Sequence, residues 1–341
     1  MLDVNFSNYK DLFEDKNVLI TGGTGSFGKQ FSKIILENFK VKKLIILSRD
    51  EMKQWEMKET FSEHAEKLRF FIGDVRDLQR LKRAFDGVDI VIHAAATKIV
   101  PTAEYNPFEC IKTNINGAMN VIDASIDCNV KSVVALSTDK ASSPVNLYGA
   151  TKLASDKLFV AGNNYSQVNS TKFSVVRYGN VMGSRGSVIP YYLSIRNQRA
   201  LPVTHPDMTR FMITLDQGVE LVFTALQTMV GGEIYVKKIP SMRIKDIATL
   251  IGGPNFKCVG IRPGEKMHEQ MIGIEDAIFT YEYSTYYKIL PQINDYYLDE
   301  NRILSGTRVS DNFSYSSDEN KHWMEVEVLK SWIENNYGII L

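Results

Sequence analysis

Short apolar runs recur through the first half of the chain, each closing on small or polar residues and each followed by a stretch of helical spacing. Residues 17–20 (Asn-Val-Leu-Ile) run straight into glycines, as a buried parallel strand does where it ends in a turn. Phe31, Ile34, Ile35 and Phe39 then recur at helical spacing within 28–39, and residues 43–47 supply the next apolar run. The same signature returns at 68–72, 88–92, 132–136 and 173–176, with helical stretches near 78–85, 108–128 and from about 147 onward. Alternation of this kind is βαβ. It predicts an α/β fold in which a Rossmann-like parallel sheet is covered by helices on both faces.

Beyond Arg177 the regular period weakens, and Gly, Pro and aromatic residues fall among shorter segments. The reading is a dinucleotide-binding domain over 1–176 that also carries the catalytic segment. Residues 177–341 are expected to form mainly a smaller C-terminal substrate-binding lobe, interleaved with elements that return to the first domain. The tyrosine-rich, acidic stretch 281–300 reads as an irregular excursion. A helical stretch at 326–333, with Val326, Val328, Leu329, Trp332 and Ile333, is expected to cover the second lobe or an oligomer seam.

Charge narrows the class of partner. Lys plus Arg total 40 and Asp plus Glu total 40, so no net field favours nucleic acid or an anionic membrane. No run approaches the roughly 18 apolar residues of a membrane span, and the first residues lack the pattern of a signal peptide. Cys110, Cys128 and Cys258 are odd in number and far apart, which argues against a disulfide framework or structural zinc and for a cytoplasmic protein. The histidines show no metal-ligand spacing, so no metal is expected, and His93 at a strand end reads as hydrogen-bonded packing.

The segment Thr21-Gly22-Gly23-Thr24-Gly25-Ser26-Phe27-Gly28 lies between the first strand and the first helix. Gly22 permits the tight turn, Gly25 the close approach of a pyrophosphate, and Gly28 the packing of helix on sheet. Backbone N–H groups at the helix start, around Ser26 and Phe27, then meet the phosphates. Ser48-Arg49-Asp50 ends the second strand where an adenosine ribose would lie. Arg49 beside Ser48 suits a 2'-phosphate and favours NADP, while Asp50 would suit the free hydroxyls of NAD. Asp74 and Val75 are placed at the adenine, and Ala94 and Ala95 form a small-residue floor under the cofactor.

Ser137-Thr138-Asp139-Lys140 leaves the end of a strand, and Tyr148 and Lys152 follow on a helix. Four residues apart, the last two share a face, so the ammonium is expected to depress the phenol pKa and to hold the nicotinamide ribose. A tyrosinate there removes a hydroxyl proton while hydride leaves the adjacent carbon.

With these motifs on view, the chain resembles the extended short-chain dehydrogenase/reductase family. Within it, the resemblance is to the inverting UDP-N-acetylglucosamine 4,6-dehydratases that begin pseudaminic acid synthesis. The likeness spans nearly the whole chain. It includes the 21–28 turn, Ser48-Arg49-Asp50-Glu51, residues 71–77, residues 103–107 and residues 137–152. It continues through Arg177-Tyr178-Gly179-Asn180-Val181, residues 183–188, Met208-Thr209-Arg210-Phe211 and Ile261-Arg262-Pro263-Gly264-Glu265-Lys266. The resemblance implies that Asp139 and Lys140, with Thr138, carry an elimination across C5 and C6, and that Tyr148 and Lys152 carry the redox half. Lys140, its pKa lowered, would take the C5 proton, and Asp139 would protonate the departing C6 hydroxyl. It further implies a tightly held NADP regenerated in each turnover, inversion at C5, a product that is a 2,6-dideoxy-4-keto UDP-sugar, and a homo-oligomer. Arg210 and Arg262 are the implied diphosphate ligands. Asn180 is placed at a phosphate or the base, Val188 at the uridine, Glu265 beside Arg262, and Lys98 between cofactor and sugar. The chain departs from the pattern at Thr97-Lys98-Ile99-Val100-Pro101, where relatives usually carry histidine in place of Ile99.

Three other readings stand beside this one. A UDP-sugar 4-epimerase would share Tyr148 and Lys152 but needs no elimination pair. A GDP-N-acetylglucosamine 4,6-dehydratase would share the chemistry and differ in the base pocket. A redox sensor or structural protein would bind NADP without turnover, which Asp139, Lys140, Tyr148 and Lys152 together argue against.

Overall fold

The computed structural model describes residues 4–166 and 171–341. Six apolar strands alternate with helices: β1 (Asn17–Thr21), β2 (Lys43–Ser48), β3 (Leu68–Ile72), β4 (Ile90–His93), β5 (Ser132–Leu136) and β6 (Lys172–Arg177). They pair in parallel in the order β3-β2-β1-β4-β5-β6, and the strand Ile234–Lys237 joins β6, also in parallel. Strands this fully buried read as continuous apolar runs because helices cover both faces. Strand order reverses between β1 and β4, which opens a crevice at their C-terminal ends.

The helix α1 (Ser26–Asn38) packs beside the Leu215–Thr228 helix, where Phe13, Phe31 and Phe223 meet edge to face. The Leu78–Phe85, Gly117–Asp127 and Leu147–Gly162 helices form a second packed group. The stretch expected as one helix over 108–128 is divided. Pro107–Ile111 passes through a π-turn at Lys112–Asn116 into Gly117–Asp127. The helix Glu51–Thr60 was not expected from the pattern, because it buries only Gln54 and Met57 and is charged elsewhere.

The tyrosine-rich stretch is a correction. Residues 281–300 do not begin as an irregular excursion, for Thr280–Glu282 and Tyr286–Ile289 are antiparallel strands that extend the main sheet beyond Ile234–Lys237. Lys288 is buried there, donating to Arg302 O at 2.9 Å, so charged residues at buried positions mask the apolar period.

A second apolar cluster is built from Met182, Ile189, Leu201, Met212, Ile247 and neighbours. The Val326–Tyr337 helix closes it with Leu329 and Ile333. This smaller lobe flanks the crevice, and the strand Asn180–Val181 and the loop after it lead into it from β6.

Candidate active site

The glycine turn is shaped by close contact. Gly22 has φ +67°, and a Cβ on it would stand 2.9 Å from the Ala95 backbone. A Cβ on Gly28 would stand 2.2 Å from Gly23 O, so only glycine lets α1 start there. Thr21 lies behind the turn, fully buried, with its Oγ1 2.9 Å from His93 Nδ1. Burial, reinforced by Lys152, pushes His93 down to about 3 and keeps the imidazole neutral. The start of α1 and its free N–H groups open on a cleft of about 1040 Å³. Backbone donors, close-approach glycines and the adjoining small residues Ala94 and Ala95 suit a dinucleotide pyrophosphate.

Along the cleft lie Gly22, Gly25, Ser26, Phe27, Gly28, Ser48, Arg49, Asp74, Val75, Ala94, Ala95 and Lys98. Of the two charges at the β2 end, Asp50 is occupied. Its carboxylate caps the next helix by accepting from Lys53 N and pairs with the Lys53 ammonium, which holds its pKa low. Arg49 remains mostly exposed, 3.8 Å from Asp74 Oδ2. Burial works to raise the Asp74 pKa, but hydrogen bonds from Arg76 and the charges of Arg76 and Arg49 hold it below the usual range. Lys98 donates to Arg185 O at 3.2 Å, and burial with the nearby Arg185 charge lowers its pKa.

Thr138, Lys140, Tyr148 and Lys152 line the same cleft beyond Ala95. Asn146 caps the Leu147–Gly162 helix by accepting from Gly149 N at 2.7 Å, which sets Tyr148 and Lys152 on the first turns. Asp139 is fully buried behind them. Its Oδ1 accepts from Thr138 Oγ1 at 2.9 Å and from Lys140 Nζ at 3.0 Å, while its Oδ2 has no hydrogen-bond partner among the described residues.

Two electrostatic expectations are corrected. Lys140 was expected to have a lowered pKa. Burial does act in that direction, but Asp139 and Glu269 outweigh it and hold the ammonium above its ordinary value. Tyr148 was expected to be depressed by Lys152. Burial instead pushes the phenol up to about 12, and the groups that oppose this are Lys140 and the Thr138 hydrogen bond. Lys152 is itself lowered by burial, with Asp156 working against the shift. Asp156 is fixed by Ser137 Oγ at 2.8 Å and Arg177 Nη2 at 3.3 Å.

The residues expected at the sugar nucleotide divide. Arg262 and Glu265 reach the cleft, joined to each other at 3.6 Å, and Arg262 is largely exposed. Their loop is tied down where Asn146 Nδ2 donates to Gly264 O at 2.7 Å and Lys266 Nζ donates to Ser142 O at 2.7 Å. Asn180 lines the cleft, but its Oδ1 accepts from Lys140 at 3.4 Å, which puts it at the elimination pair. Arg210 is not brought to the cleft. It is buried, and its guanidinium donates to the carbonyls of Thr209, Lys266 and Met267. Val188 begins the Val188–Ser194 helix and packs on the second apolar cluster, while its neighbour Ser187 lines the cleft. No role was read from the motifs for Glu269, whose Oε1 is 3.4 Å from Lys140 Nζ, or for Arg185, which lies in the 183–188 run beside Ser26.

Fold and cleft together define a Rossmann-fold protein of the extended short-chain dehydrogenase/reductase class. The chain belongs to the polysaccharide biosynthesis protein family, whose pattern matches residues 18–291. It is similar to the UDP-N-acetylglucosamine 4,6-dehydratase (inverting) of Campylobacter jejuni subsp. jejuni serotype O:2. The two are 54% identical over 338 residues, covering 96% of this chain and 100% of that one. It is also similar to a protein named UDP-glucose 4-epimerase from Rickettsia canadensis, 42% identical over 287 residues, with 82% and 84% covered. Among solved structures, Pen from Bacillus thuringiensis superposes with a TM-score of 0.86 at 36% identity, covering 95% of this chain and 100% of that one. The resemblance carried by the motifs is borne out. Among the described residues, no helix is long and apolar enough to cross a membrane.

Proposed function

We propose that the protein is an inverting UDP-N-acetylglucosamine 4,6-dehydratase, a hydro-lyase acting at the first step of pseudaminic acid synthesis. The observation that carries the reading is the Asp139–Lys140 pair, joined at 3.0 Å, with Lys140 and Tyr148 lining one cleft and Asp139 buried behind them. An epimerase needs Tyr148 and Lys152 but no second acid–base pair. The similarity of 54% over 96% of the chain to a protein of that name supports the same substrate.

Residues 22–28 would hold NADP, with Arg49 at the 2'-phosphate, Asp74 and Val75 at the adenine and Lys152 at the ribose, and the bound cofactor would supply the hydride acceptor for C4 and donor for C6. Arg49 supports the phosphate-bearing cofactor because Asp50 is occupied by its helix cap and Lys53. Tyr148 takes the C4 hydroxyl proton. Its pKa is raised by burial, and the Lys140 charge and the Thr138 hydrogen bond are what stabilise the phenolate.

The ion pair is one tautomer of the pair that elimination needs. Passage of a proton from Lys140 Nζ to Asp139 leaves a neutral amine beside a carboxylic acid. The amine takes the proton from C5, the C5–H electrons form the C5–C6 double bond, and the C6–O bond breaks. Asp139 passes its proton through the Thr138 hydroxyl, which is 2.9 Å from its Oδ1 and lines the cleft, to the departing hydroxyl, which leaves as water, and the ion pair is restored. Arg262 holds the diphosphate. Exposed Tyr105 and Phe108 support self-association.

Incubation of the pure protein with UDP-N-acetylglucosamine tests the reading. Dehydration lowers the sugar-nucleotide mass by one water with no net NADPH, whereas a 4-epimerase conserves mass and a binding protein leaves the substrate unchanged.

A further inference from the structure

Lys140 meets two carboxylates. Besides Asp139 Oδ1 at 3.0 Å, its Nζ has Glu269 Oε1 at 3.4 Å on its buried side and Asn180 Oδ1 at 3.4 Å toward the cleft. Glu269 is almost wholly buried and fixed through its backbone, its N–H donating to Ser317 Oγ at 2.9 Å and its carbonyl accepting from Ser317 N at 2.8 Å. Its Oε2 has no hydrogen-bond partner among the described residues. A carboxylate removed from water is costly unless cations compensate it. Arg210 approaches only to 3.8 Å and is already committed to three carbonyls, so Lys140 is the closer cation.

A neutral amine has two N–H groups and one lone pair. If one N–H is held by Glu269 Oε1 on the buried side and the other by Asp139, by then a carboxylic acid, the lone pair is left on the cleft side, where a C5 hydrogen would lie. Without Glu269, rotation about the Cε–Nζ bond is free to turn the lone pair away. We infer that Glu269 is a positioning residue for the elimination step, holding one N–H of Lys140 from the buried side so that the lone pair is aimed into the cleft. This rests on the reading of Asp139 and Lys140 given above.

The charges facing Glu269 are Asp139 and Lys140 from the turn after β5, Arg210 from the Thr209–Ile213 strand and Lys266 from its own loop. Tyr148 faces Lys140 from the Leu147–Gly162 helix, and His268 turns away to Thr209 and Asp318.

The test compares Glu269→Gln, Glu269→Asp and Lys140→Met as cofactor-loaded proteins. The readouts are kcat and KM for UDP-N-acetylglucosamine, solvent-deuterium entry at C5, and the pH dependence of kcat. Glu269→Gln is expected to lower kcat by about 10- to 100-fold, below the full loss of a positioned base, with KM little changed and C5 exchange slowed. The alkaline fall of kcat moves to lower pH, because one of the two negative charges that retain the proton shared by Lys140 and Asp139 is gone. Glu269→Asp keeps the charge, so its profile stays in place and part of the rate returns. A raised KM with unchanged kcat and pH profile in Glu269→Gln would assign Glu269 to the 262–266 loop and overturn the inference. If Glu269→Gln does not fold, Glu269→Asp decides, and wild-type C5 exchange in it overturns the inference. Near wild-type turnover in Lys140→Met would sink the elimination reading itself. An inactive Lys140→Met beside two wild-type-like Glu269 variants would leave that reading standing and remove only Glu269.

Discussion

Replacing Lys140 with methionine keeps most of the side-chain volume and removes the charge, and two consequences follow from its surroundings. The first is kinetic. Loss of one positioned acid or base costs about 10²- to 10⁴-fold in rate, roughly 2.7–5.4 kcal/mol of transition-state stabilisation. Tyr148 and Lys152 remain, so C4 oxidation is expected to persist as a small burst of NADPH absorbance without loss of water. The second is structural. Asp139 is fully buried and loses its cation, whereas Glu269 keeps Arg210 at 3.8 Å. Breaking a buried pair costs about 3–5 kcal/mol, and because the Lys140 side chain is 24% exposed the lower end, about 3 kcal/mol, is expected. An unpaired buried carboxyl has a folded-state pKa above its unfolded value, so stability is lost as the pH rises through that interval and regained as it falls. Thermal melts of Lys140→Met should therefore lie furthest below wild type at neutral and alkaline pH and converge with it toward acid pH. Rapid-mixing absorbance and product mass read the first consequence, and melts across pH read the second. A folded variant that turns over at near wild-type rate would refute the assignment of Lys140 as the C5 base.

Other outcomes follow from the same geometry. Arg49→Ala removes a charge-assisted contact of about 1.5–3 kcal/mol; the exposure of Arg49 places the effect at the lower end, roughly tenfold weaker NADP binding, with NAD little affected in parallel titrations. Gly28→Ala drives a Cβ to 2.2 Å from Gly23 O, and since backbone cannot move aside cheaply, the variant should lose about 1–3 kcal/mol of stability and most cofactor binding, read by melts and titration. Kinetics at fixed NADP should give a higher kcat/KM for UDP-N-acetylglucosamine than for its GDP counterpart, and a tenfold preference for the GDP sugar would move the substrate assignment while leaving the catalytic pair in place.

What the sequence made legible was local. Buried parallel strands are continuous apolar runs, so β1 to β6 stood out, and the glycine turn, Thr138-Asp139-Lys140 and the Tyr148/Lys152 spacing each lie within a few residues of chain. The Glu51–Thr60 helix was hidden because only Gln54 and Met57 face inward. The strands at 280–289 were hidden because Lys288 sits buried against the rings of Tyr235 and Tyr283 and breaks the apolar alternation. At the site, Glu269 and Arg185 arrive from segments far from the catalytic motifs, and no spacing rule links them to Lys140 or Ser26. Arg210 was placed at the diphosphate because a guanidinium suits one, yet its strand turns it into the carbonyls of 209, 266 and 267. The pKa directions of Lys140 and Tyr148 depend on burial and on Glu269, neither of which the helical spacing of Tyr148 and Lys152 contains.

The central claim is that hydrogen removed from C4 returns to C6 of the same sugar while Asp139 and Lys140 expel water between the two events. UDP-N-acetylglucosamine carrying deuterium at C4 tests this directly when the product is read by NMR and mass spectrometry. The account predicts a product one water lighter that carries the deuterium in its C6 methyl group and a solvent-derived hydrogen at C5. Deuterium still at C4 in a product of unchanged mass would contradict it, as would deuterium released into free cofactor with no methyl group formed.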